Sequence, residues 1–123
     1  MAAPNIVSVS SIYGKTLGVG LGIDSTAGIL TCSADKVLKI NSILTSLSST
    51  SPSTEVTVSF YDSSASNTYE IANVMTLPSG STLVVIGKDS PIYLEESDEI
   101  RAGIATTDSS ANIIISYEEI DDA

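Results

Sequence analysis

Apolar residues recur at every second position almost from end to end of this chain, and turn-forming residues break the pattern at roughly 8–12-residue intervals. A period of two places alternate side chains on opposite faces of a strand. A helix would need apolar positions three and four apart, and no segment shows that spacing convincingly. Ser33–Ile40 comes nearest, but it is short and β-branched. The pattern predicts an all-β, single-domain antiparallel β-sandwich over residues 1–123, because regularly spaced short strands cannot bury their apolar faces except against one another.

The strand runs follow from the alternation. Asn5–Tyr13 and Thr16–Ile23 read as two strands, with Gly14-Lys15-Thr16 as a hairpin turn between them. Gly18, Gly20 and Gly22 suggest a bulge or a close backbone approach. Gly28–Thr31 adds a short strand. In Val37–Leu47, Leu38, Ile40 and Leu44 face one way, against Lys39, Asn41 and Ile43. Glu55–Asp62 alternates most cleanly, with Val56, Val58 and Phe60 inward. Thr68–Thr76, Ser81–Ile86, Ile92–Leu94, Glu99–Ala105 and Asn112–Glu119 complete the set. The expected core is Val56, Val58, Phe60, Leu38, Ile40, Val84 and Ile114. The sequence Leu94-Glu95-Glu96-Ser97-Asp98-Glu99-Ile100 resembles the L-x-x-G-D-x-I corner of jelly-roll sandwiches, with Ser97 in the glycine's place. That favours a jelly-roll-like arrangement.

Composition then narrows the chemistry. The chain has no His, no Trp and one Cys, but 22 Ser and 12 Thr. His carries most acid–base catalysis near neutral pH, and without it Cys32 lacks its usual activating base. No Ser sits in a G-x-S-x-G elbow. Gly14-Lys15-Thr16 lacks the upstream Gly and the helix of a phosphate loop. The acidic clusters Glu95–Glu99 and Glu118–Asp122 lack the one-loop spacing of a cation cage and read as solvated turns. The chain is accordingly read as non-enzymatic, with no cofactor and no metal.

The net charge of −10 disfavours two partners. Nucleic-acid binding depends on Lys and Arg neutralising phosphates, and anionic membranes repel an acidic surface. Met1–Asn5 has no basic or apolar signal region, no run suits a transmembrane helix, and one Cys forms no internal disulfide. Residues 1–5 read as an extended arm, since they are uncharged and contain Pro4. Pro4, Asn5, Ile6, Val7 and Ser8 are the expected assembly contacts, where small side chains allow strand addition to a neighbour. Ser46–Thr54 reads as a solvated loop between strands.

Met1–Val7, Tyr13–Thr16, Lys36–Leu44, Val56–Asp62 and Leu83–Leu94 together resemble the small virion structural proteins of tailed bacteriophages that infect marine bacteria, including cyanophages. The resemblance implies a capsid decoration or cement protein on the outer surface of the virion, assembled in the host cytoplasm. Its implied partner is the major capsid protein, and its implied state a homotrimer. An acidic protein suits the outside of a shell better than an inside packed with DNA phosphate. The other readings kept open are a tail, baseplate or fibre-associated module contacting the host surface, and a small lectin-like binding sandwich.

Overall fold

Val9–Gly20 forms one unbroken strand, β1, with Gly14, Lys15 and Thr16 in its middle rather than at a hairpin turn. The turn signal is local; the ladder is not. Gly14 lies opposite Glu118, Lys15 opposite Tyr117 and Thr16 opposite Ser116, and this pairing fixes the segment as extended. The computed structural model describes residues 9–87, 89–106 and 110–122, so the expected contacts Pro4 to Ser8 and the arm 1–5 lie outside the described residues. Eight further strands follow: β2 (Gly28–Thr31), β3 (Lys36–Leu47), β4 (Thr54–Asp62), β5 (Asn67–Leu77), β6 (Thr82–Ile86), β7 (Ile92–Leu94), β8 (Glu99–Ile104) and β9 (Ala111–Asp122). No helix occurs among the described residues.

The strands form two antiparallel sheets packed as a sandwich. The first runs β1-β9-β3-β6, with β7 beside β6 on the same flank of β3; the second runs β2-β8-β4-β5. Strands 1, 9, 3, 6 and 2, 8, 4, 5 interleave as two Greek keys, which is the strand order of a jelly roll. The chain keeps crossing between sheets, so most strand pairings join residues distant in sequence.

Between the sheets lies one core. Ile40, Ile43, Ile113, Ile115 and Leu94 come from the first sheet, and Val56, Val58, Leu77 and Ile100 from the second. Val56, Val58, Leu38 and Ile40 are buried as expected. Val84 and Ile114 are not: they are 60% and 38% exposed, while Ile113 and Ile115 point inward instead. Ile113, Ile114 and Ile115 are identical and consecutive, so alternation alone does not say which parity faces the core.

A second departure has a visible cause. The register of β3 on β9 runs Ile40 opposite Tyr117 and then Ser42 opposite Ser116, which leaves Asn41 as an extra residue. A one-residue bulge exchanges the two faces beyond it. Ile40 is therefore inward before the bulge, and Ile43, Thr45 and Leu47 are inward after it, with Leu44 turned away. Phe60 is only half-buried, because it lies near the end of β4, stacked on Tyr69 of β5 with ring centroids 6.4 Å apart.

Two turns use backbone geometry that the residues permit. Ser97 takes φ 69 in the glycine place of the corner before β8. Gly103 in β8 lies beneath the loop after β1: a Cβ there would stand 2.6 Å from the backbone of Asp24 and Ser25, so only glycine lets that loop cross.

Candidate functional site

Of the acidic residues singled out in the sequence, Asp98, Glu99, Glu119 and Asp121 hold structural contacts. Asp98 is buried, and its two carboxylate oxygens hold two turns. Oδ1 accepts the Ser63 N–H at 2.9 Å and Oδ2 accepts the Glu95 N–H at 3.0 Å. Glu99 is paired with Arg101 Nε at 2.9 Å, and the guanidinium lies 3.9 Å over the Tyr61 ring.

The C-terminal acids meet the chain's lysines. Lys36 Nζ lies 2.9 Å from Glu119 and 2.8 Å from Asp121, and Lys15 Nζ lies 3.2 Å from Glu119. Hydrogen bonding from Lys36, with Lys15 beside it, holds the Glu119 carboxyl below the usual carboxylate range. The same two carboxylates push Lys36 up. This cluster ties β1, β3 and β9 together at one end of the first sheet. Lys15 is thus an exposed ion-pair partner in mid-strand rather than a turn lysine. Among the described residues no three His, Cys, Asp or Glu side chains gather closely enough to hold a metal ion.

Cys32 is buried at the end of β2, and its Sγ–H donates to the Lys36 carbonyl at 3.2 Å. Burial pushes its thiol up to about 11, which leaves it protonated and unreactive near neutral pH. Hollows on the surface are shallow. One of about 200 Å³ with a mainly apolar lining lies where Phe60, Tyr69 and Ile71 approach Ile92 and Tyr93.

What the fold does present is backbone. β1 lies at one edge of the first sheet, and no described strand pairs with its outer flank. Leu21 N–H donates to the Ala111 carbonyl at 2.9 Å. In an antiparallel pair alternate residues exchange main-chain bonds, so this bond and the register fix the phase. From Ser11 onward, odd-numbered residues of β1 turn their N–H and C=O groups to β9. Ile12, Gly14, Thr16, Gly18 and Gly20 turn theirs outward. The alternation of the sequence shows which side chains share a face, but it is silent on which flank of the strand stays unpaired.

No family model and no curated protein sequence matches the chain. A solved structure from Bacillus endospore appendages, described as a novel family of disulfide-linked pili, is similar over 92% of this chain and 90% of that one, with a TM-score of 0.52 and 12% identity. At that identity the likeness speaks to the fold, and it supports the single-domain β-sandwich read from the two sheets.

Proposed function

We propose that this chain is a non-enzymatic structural subunit that acts by assembling with copies of itself and with a larger particle. The observation that carries the reading is the outer flank of β1, a long strand edge whose main-chain groups face outward. Such an edge is a template for another strand. Lys15, Lys36, Arg101, Asp98, Glu99 and Glu119 are meanwhile occupied in ion pairs and turns. The structural neighbour is itself described as a pilus protein, which fits a subunit role.

The finer reading is capsid decoration on the outer surface of a tailed phage, held to the major capsid protein through the arm and the start of β1. It is supported by the sequence resemblance and by the net charge of −10, which suits a surface turned away from packaged DNA. A disulfide-linked polymer like the one named for the neighbour is not open to this sequence. One cysteine joins a chain to one partner at most, and Cys32 is buried.

Quantitative mass spectrometry of purified particles that carry the protein tests both levels. A copy number matching the repeat of the shell lattice is the expected result. A number matching a single tail would replace decoration by the tail-module reading, and absence from particles would overturn both.

A further inference from the structure

The lateral edges of the two sheets are not alike. β2 is four residues long and slips register against β8. β5 slips twice against β4 and holds Val74 at φ 51. The far edge of the first sheet is split between β6 and β7. Short, bulged or interrupted edges are how β proteins prevent unwanted pairing. β1 carries none of these devices from Ser11 to Gly20, where its register on β9 is continuous.

We infer that the outer flank of β1 pairs antiparallel with β1 of a second copy, joining the first sheets of two chains across a two-fold axis. The inference rests on the assembly-subunit reading and names its contact. The edge is self-complementary in phase. About an axis through Thr16, Thr16 faces its own copy, Gly14 faces Gly18 and Ile12 faces Gly20, so outward main-chain groups meet outward ones. An interface of this kind uses the same patch twice and closes after two chains.

Charge does not oppose the same partner. The chain carries −10, yet residues 1–23 contain no Asp or Glu. Lys15 is the one charged side chain there, and Glu119 already pairs with it. Two copies that meet through β1 therefore bring no carboxylates of these strands against each other. Three of the five outward-facing residues, Gly14, Gly18 and Gly20, carry no side chain to obstruct the approach. The unit built by this edge is a dimer, in place of the trimer that the sequence resemblance implies.

The test removes one outward donor without touching β9. Gly18→Pro deletes an N–H that faces away from the fold, a position where edge strands tolerate proline; Gly18→Ala keeps that N–H. Sedimentation over a range of concentrations should show a dimer for the native chain and for Gly18→Ala. Gly18→Pro should keep the native circular dichroism spectrum and dissociate at least tenfold more readily. In a Cys32→Ser background, Thr16→Cys should be joined to its copy by a short bis-maleimide, whether or not the proline variant folds. A native chain that stays monomeric, a folded Gly18→Pro that dimerises unchanged, or an absent Thr16→Cys crosslink overturns the inference. So does loss of the dimer on deleting residues 2–8, which would move the contact to the arm. None of these results changes the copy number on particles, so the broader reading stands or falls separately.

Discussion

Ser63 donates its backbone N–H to the buried carboxylate of Asp98 at 2.9 Å, across 35 residues of sequence. The same carboxylate accepts the Glu95 N–H, and the backbone of Ser97 and Asp98 exchanges bonds with Cys32. The side chain therefore fastens the turn before β8 to the β4–β5 hairpin, while the backbone of the same turn holds the end of β2. Replacing it takes the acceptor from both N–H groups. Asp98→Ala is expected to lower stability by about 2–4 kcal/mol, read as an earlier midpoint in urea unfolding. An unchanged midpoint would mean that water or a neighbour takes over the carboxylate's bonds.

The parity of β9 makes a paired prediction. Ile113 is fully buried and Ile114 is 38% exposed, although they are adjacent and identical. Ile113→Ala should cost about 2–5 kcal/mol, as buried aliphatic truncations do. Ile114→Ala should cost less than about 1 kcal/mol in the monomer. Equal losses would contradict the register.

Three glycines form a graded series. At Gly103 a methyl group meets the Asp24 and Ser25 backbone at 2.6 Å, and backbone cannot step aside without moving the loop. At Gly28 it meets the Glu99 carboxylate at 2.8 Å, the far end of a flexible side chain. At Gly18 it meets nothing within 4 Å. Thermal unfolding of the three Ala variants should rank Gly103 worst by about 1–3 kcal/mol or more, with Gly28 next. Gly18→Ala should match the native chain or gain slightly through a less flexible unfolded state.

Glu119 sets an acid response. Its carboxyl is held below the ordinary 4.5, chiefly by Lys36, so the folded chain binds its proton less readily than the unfolded chain does. Its contribution is fully present above the unfolded value and is lost as pH falls through the lower folded value. Urea midpoints from pH 6 to below pH 4 should therefore fall less steeply for Glu119→Gln than for the native chain. Parallel curves would show that the ion cluster adds nothing.

Cys32 should be silent until the chain opens. With the thiol buried and pushed up to about 11, a disulfide reagent at pH 8 should leave the native protein unlabelled. In denaturant it should react with one thiol per chain. Rapid labelling of native protein would mean that the end of β2 opens readily.

Much of the fold was legible because it depends on local pattern. Alternation in Val56, Val58 and Ile40, the turn residues between runs, and the Ser97-Asp98 corner each speak for their own short segment. Their sum is an antiparallel sandwich. The corner reading carried furthest: Ser97 holds the positive φ that a glycine would supply, and Asp98 holds the turn amides. Where neighbouring residues were alike the pattern fell silent, as in Ile113-Ile114-Ile115. Where one residue was inserted, as at Asn41, it pointed the wrong way for Leu44.

The sequence by itself determined the β class, the single core, the acidic surface, and a first segment that is free of acids. Those properties follow from composition and from a period of two, which every strand carries within itself. Only the tertiary structure decided that Gly14–Thr16 stays extended, that β9 and not a hairpin partner lies beside it, and which flank of β1 is left open. Edge and centre are not properties of a strand. They are fixed by which distant segment supplies the opposite row of hydrogen bonds, and in this chain those partners lie about a hundred residues apart.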